Sequence, residues 1–171
     1  MIASWPRLWA ALLLILCLAP APAGALVKPG MTLPPLSLPD AQGQQHNLAE
    51  LTRGKVALIT YWSVSCPHCR HDLPRLQALA RHLEGNPFVW VLINGDGKDM
   101  LTAAKAYAQE MKLPGPLLID TGPQDDIPFA IAFDILATPG VLVLDKTGRL
   151  ILAQELKVNL EQVQAAIESA F

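Results

Sequence analysis

The chain has 171 residues, 51% of them hydrophobic and 16% charged, with 13 Lys+Arg against 15 Asp+Glu. That balance excludes a disordered bulk, which needs few apolar residues and a strong net charge. It also excludes a nucleic-acid binder, which needs a basic surplus to neutralise phosphates.

The first 25 residues stand apart from the rest: one basic residue (Arg7), no acid, and an unbroken apolar run from Leu8 to Ala19. That run is shorter than the roughly 20 residues a helix needs to span a bilayer. Pro20 and Pro22 end it, and Ala23-Gly24-Ala25 offers small residues at the positions a signal peptidase reads, with Ala21-Pro22-Ala23 as a second cut. The expectation is a signal peptide over residues 1–25, cleaved after Ala25, followed by one domain over residues 26–171. The alternative is an uncleaved N-terminal anchor. Lipidation at Cys17 fits less well, because Leu16 stands where a small residue is wanted. Cys17 departs with the leader, which leaves Cys66 and Cys69 in a compartment that permits disulfides. A bond closing so short a loop restricts the unfolded chain little. Chemistry explains the pair better than stapling does.

Val27 to Pro39 is Pro-rich and extended, and Leu36-Ser37-Leu38, a turn at Asp40–Gly43, and Gln44 to Leu48 predict a small hairpin. Ala49 to Gly54 is a short helical turn or loop. Val56 to Trp62 is a near-continuous apolar run, as expected of a strand buried on both faces. Cys66 follows a short turn, and Pro67 falls at a first helical position, where its missing N–H costs nothing. Leu73, Leu76, Leu79, Ala80 and Leu83 then recur at helical spacing, with Pro74 inside the pattern as a predicted kink. Phe88 to Ile93 is a second buried strand, broken by Asn94-Gly95-Asp96-Gly97. A helix through Met100 to Met111, a strand at Leu117–Ile119 and a brief helix at Ile127–Phe133 come next. Val141–Leu144 and Leu150–Ala153 form a hairpin around Asp145-Lys146-Thr147-Gly148, and Asn159 caps a last helix with Gln162 three residues on. This alternation implies an α/β fold with helices covering a largely parallel sheet, and an antiparallel pair at its end.

Cys66-Pro67-His68-Cys69 places two cysteines at a strand-to-helix junction. Two intervening residues let the sulfurs meet, and the first sulfur sits where free N–H groups and the helix dipole favour a thiolate. His68 adds a donor that can carry positive charge. On this reading Cys66 attacks and Cys69 resolves the mixed disulfide. A c-type haem site would need His directly after the second cysteine, where Arg70 stands. A zinc or copper site drawing on Cys66, Cys69, His68 and His71 is the metal alternative, with only His46 and His82 elsewhere to help.

With Tyr61-Trp62 before the pair, Asp72-Leu73-Pro74 after it and Thr138-Pro139 later, the chain resembles the TlpA-type exported thiol–disulfide oxidoreductases over residues 31–171. The resemblance implies a thioredoxin fold: a central mixed sheet flanked by helices, with an N-terminal hairpin (residues 34–48) and a strand–helix insertion (residues 117–133). It implies a cis-proline at Pro139 that presents backbone to a bound peptide, with Thr138 helping set substrate contacts. It gives Asp72 the place of a helix carboxylate, usually Glu, that exchanges protons with Cys69 or opposes its thiolate. The plain alternative for Asp72 is an exposed acid favoured by the first helical turn. Trp62 is either core packing beside the site or a substrate contact, and His71 is read as solvated. Protein thiols and disulfides are the implied substrates, with a membrane redox partner, no cofactor beyond the cysteines, a monomeric state and a periplasmic location.

Two positions depart from the pattern. Ser65 stands where the family commonly has Trp before the first cysteine, which leaves the site less shielded. Thr60 stands where thioredoxin has a buried strand Asp. The Pro-His pair is also that of the exported oxidant DsbA, so His68 points toward oxidation while the architecture points toward reduction. The peroxiredoxin pattern P-x-x-x-T/S-x-x-C is met at Ser63 but not at Ile59, where proline is required.

Overall fold

The computed structural model describes residues 29–171, and the leader expected over residues 1–25 lies outside them. In chain order the elements are β1 (Ser37–Pro39), β2 (Gln45–Asn47), α1 (Leu48–Thr52), β3 (Val56–Trp62), α2 (Pro67–His82), β4 (Phe88–Asn94) and α3 (Leu101–Glu110). There follow β5 (Leu117–Ile119), α4 (Pro128–Ala132), β6 (Gly140–Leu144), β7 (Leu150–Glu155) and α5 (Leu160–Ser169).

Every residue of β3 is buried, which is why its sequence reads as a continuous apolar run rather than an alternation. It is the middle strand of a sheet ordered β5–β4–β3–β6–β7. The strands β3, β4 and β5 run parallel, while β6 lies antiparallel to β3 and β7 antiparallel to β6. Successive side chains of a strand point to opposite faces. Val56, Leu58 and Trp62 therefore join one core with Leu73 and Leu76 of α2 and Val163 and Ile167 of α5. Ala57, Ile59 and Tyr61 join a second core with Phe129 and Phe133, on the other side of the sheet.

The hairpin expected at residues 34–48 is β1 paired antiparallel with β2, and its Leu38, with Leu48 of α1, is fully buried in the second core. Asp40 organises the turn by accepting from the backbone N–H groups of Gln42 and Gln44 at 2.8 and 2.9 Å and pairing with His46 at 2.8 Å. The His46 hydrogen bond is the main reason its carboxyl is held below the usual range. The inserted β5 is the sheet's edge strand, and Asp40 bridges to Leu118 within it, so the hairpin and the insertion touch. Polar Gln154 and Glu155 extend β7 beyond the expected end at Ala153, because their backbones keep pairing with Val141 and Gly140. Pro74 lies inside α2, and the helix runs through it to His82. Asn159 caps α5 through Gln162 N–H at 3.1 Å, as its spacing predicts. No helix among the described residues is long and apolar enough to cross a membrane.

Candidate active site

Parallel strands bring their C-terminal ends, and the loops that follow them, to one edge of the sheet. The loop Ser63–Ser65 leaves β3 at that edge, and Asp96 follows β4 beside it. The Asp96 carboxylate accepts from Ser63 Oγ at 2.5 Å, from Val64 N–H at 2.7 Å and from Asn94 Nδ2 at 2.8 Å. The Val64 carbonyl accepts from Arg70 Nε at 3.3 Å and from a second Arg70 guanidinium nitrogen at 3.2 Å. Val64 is thus held at both its backbone N–H and its C=O, one residue short of the exposed Ser65 and two short of Cys66.

Cys66 is the N-cap of α2 in extended backbone, and Pro67 is the first helical residue. The Cys66 Sγ accepts from the Cys69 backbone N–H at 3.0 Å, where a helix leaves a donor unpaired. Cys66 and Cys69 are joined as a disulfide, with their Cα atoms 5.3 Å apart. Cys66 retains 8% exposure and Cys69 none, so a partner thiol or disulfide approaching from solvent meets Cys66 first. His68 lies exposed between them.

Asp72 is 5% exposed and lies in the second turn of α2, so it is neither the solvated acid nor the first-turn acid of the plain alternative. Its Oδ1 takes His71 Nδ1 at 2.8 Å and Arg75 at 3.2 Å, and these partners compensate its burial. His71 is exposed as expected, yet it is engaged with this carboxylate rather than simply hydrated. Cys69 and Asp72 stand three apart on α2, the spacing that makes helical residues neighbours on one face. Trp62 is 1% exposed and packs against Tyr107 at a ring separation of 5.3 Å, which is core packing beside the site. Thr60 is fully buried, and its hydroxyl accepts from the Trp90 indole N–H at 2.9 Å.

The Thr138–Pro139 peptide is cis, with Pro139 buried. Gly140 pairs with Tyr61 in register, so Pro139 lies level with Trp62 at the same end of the sheet. Glu155 Oε2 accepts from the backbone N–H groups of Leu136 and Ala137 at 3.1 and 2.9 Å, which fixes the loop leading into this turn. On the other face, the buried Asp120 accepts from Phe129 and Ala130 N–H at 2.8 and 3.0 Å. Burial pushes its carboxyl above the usual range, and burial followed by Asp120 itself pushes the nearby Tyr61 hydroxyl up.

Local spacing carries no trace of Asp96, Arg70, Glu155 or Asp120. Asp96 reads as part of a glycine-rich strand break, yet it reaches back 33 residues to Ser63. The parallel order of β3 and β4 is the signal that could have found it, since it makes their following loops neighbours. Among the described residues, no three His, Cys, Asp or Glu side chains converge as a metal-holding group.

Residues 29–153 match the AhpC/TSA family. The chain belongs to the AhpC/TSA family. Among its relatives is the thiol-disulfide oxidoreductase ResA of Geobacillus thermodenitrificans, 26% identical over 145 residues, which cover 81% of this chain and 79% of ResA. The thiol:disulfide interchange protein DsbE of Pseudomonas aeruginosa is 30% identical over 121 residues, 70% of this chain and 62% of DsbE. In three dimensions the chain is similar to the thioredoxin domain of a thiol-disulfide oxidoreductase from Bacteroides vulgatus. The TM-score is 0.69 at 19% identity, covering 83% of this chain and 96% of that one. The thioredoxin fold and the TlpA-type resemblance both stand. Family, fold and cysteine pair agree on thiol–disulfide oxidoreductase chemistry.

Proposed function

We propose that this family member is an exported oxidoreductase that reduces disulfides in protein substrates through Cys66 and Cys69. The exchange chemistry is carried by the Cys69 N–H donated to Cys66 Sγ at 3.0 Å, with Cys69 itself wholly buried, and the reducing direction rests on the likeness to the TlpA-type oxidoreductases. One sulfur is reachable and, once the pair is reduced, has a backbone N–H in place to stabilise its thiolate; the other is held behind it.

In the reduced state the Cys66 thiolate attacks one sulfur of a substrate disulfide. A bond forms between Cys66 and that sulfur, and the other substrate sulfur leaves as a thiol. Cys69 then attacks Cys66 Sγ, closes the internal disulfide and releases the second substrate thiol. The substrate gains two electrons and two protons, one proton from Cys69 by way of Asp72 and one from solvent, and the dithiol is restored by an electron donor at the membrane. Asp72 sits on the Cys69 face of α2 and takes the Cys69 proton as that thiol becomes a nucleophile. Pro67 sets the helix start, His68 tunes the Cys66 thiolate, and the Thr138–Pro139 backbone receives the substrate chain beside the pair. Residues 1–25 act as the export signal.

A dithiol oxidant is the second reading. The exposed His68 and the helix N-terminus both stabilise the reduced thiolate, and a stabilised reduced form makes a stronger oxidant.

The roles of the two cysteines are tested by trapping. Cys69→Ser in the exporting cell should accumulate Cys66 in mixed disulfides with substrate proteins, seen as bands that collapse on reduction. Equal trapping by Cys66→Ser would reverse the assignment.

A further inference from the structure

Leu156 has φ of 64°, a left-handed backbone conformation that glycine adopts freely and that bulky residues avoid. Holding leucine there strains the backbone. Core packing does not compensate for it, because Leu156 is 53% exposed. Its backbone is nonetheless fixed, with its N–H donated to the Pro139 carbonyl at 3.0 Å. The register of β6 and β7 pairs Gly140 with Glu155, so Leu156 stands level with Pro139 and, one strand further in, with Trp62.

A second leucine shares this arrangement. Leu136 is 82% exposed, more than any other large apolar residue described, yet its N–H is held by the Glu155 carboxylate at 3.1 Å. Glu155 immediately precedes Leu156, so both leucines are tied to one point at the end of β7. Each presents an apolar side chain to water from a backbone that is already ordered. Such a pair contributes little to folding and is prepared for contact with something else.

We propose that Leu156 and Leu136 determine specificity, flanking the Thr138–Pro139 turn and taking apolar side chains that neighbour the cysteine of a protein substrate. This rests on the oxidoreductase reading and narrows it to cysteines in apolar, extended segments, such as those an unfolded protein exposes. The redox step is unchanged: the dithiol becomes a disulfide, and the substrate disulfide leaves as two thiols.

The test compares two peptide disulfides, each a pair of short peptides linked through a central cysteine, one with leucine flanks and one with serine flanks. Single-turnover rates of the full, reduced chain are measured with both. The native chain should prefer the leucine probe by about tenfold, as expected from covering roughly half of two leucine side chains. Leu156→Gly and Leu136→Gly should each lower that ratio several-fold, and the double variant should bring it near one. Leu156→Gly should also melt no lower than the native chain, since glycine relieves the backbone. A purely structural role for Leu156 would instead lower its melting temperature and slow both probes alike, leaving the ratio intact. That result, or a native ratio near one, would overturn the proposal. No exchange with either probe would overturn the oxidoreductase reading and this inference with it.

Discussion

At the scale of single residues, the site is built on carboxylates whose partners differ. Asp96 is surrounded by donors that hold the loop before Cys66, namely Ser63 Oγ, Val64 N–H and Asn94 Nδ2. Removing it leaves these groups to find water in a partly covered position. Asp96→Ala should therefore cost about 2 kcal/mol of stability, read from urea unfolding; a loss below the error of the method would mean the loop holds itself. Asp120 has backbone donors too, but burial dominates and raises its pKa. As pH rises from the unfolded carboxyl value toward the folded one, the unfolded chain has released a proton the native state still keeps. Stability from this group falls across that window and stays lower above it. Asp120→Asn removes the effect, so the stability gap between native and variant protein should narrow from acid to neutral pH. A widening gap would show the carboxylate stabilised by its donors after all.

At the scale of elements, what the sequence made legible followed from periodicity and from backbone chemistry. The bounds of β3 and β5 were readable to the residue, because continuous apolar runs ended at turn-forming residues. The α2 start was readable because Pro67 tolerates only a few helical positions and follows the N-cap cysteine directly. The burial of Asp72 was not readable. An acid near a helix start is ordinarily solvated, whereas Asp72 falls in the second turn of α2, and its compensation by His71 and Arg75 is a matter of side-chain direction. Replacement of the expected strand acid by Thr60 was visible in the sequence. Its role as acceptor for Trp90, 30 residues away, required the pairing of β3 with β4. The same limit hid Glu155, which lies in a strand of ordinary composition and acts on a loop 18 and 19 residues earlier.

At the scale of the whole molecule, the two-sided sheet explains why so small a domain can carry a rigid redox site. One core anchors α2 beneath the cysteines and the other anchors the insertion that leads into the Thr138–Pro139 turn. The site lies where β3, β4 and β6 meet at one edge, so its parts come from four stretches of chain: 62–72, 94–96, 136–139 and 155–156. Only the first and third carried a motif, which is why the fold and the cysteines were legible while the supports were not. The proposed function requires Cys66 and Cys69 to form a reversible couple poised to give electrons. Equilibrating the protein in glutathione buffers and quantifying its thiols measures that poise. A single two-electron transition at or below about −230 mV is the predicted result, whereas a transition near about −120 mV would contradict the reducing direction.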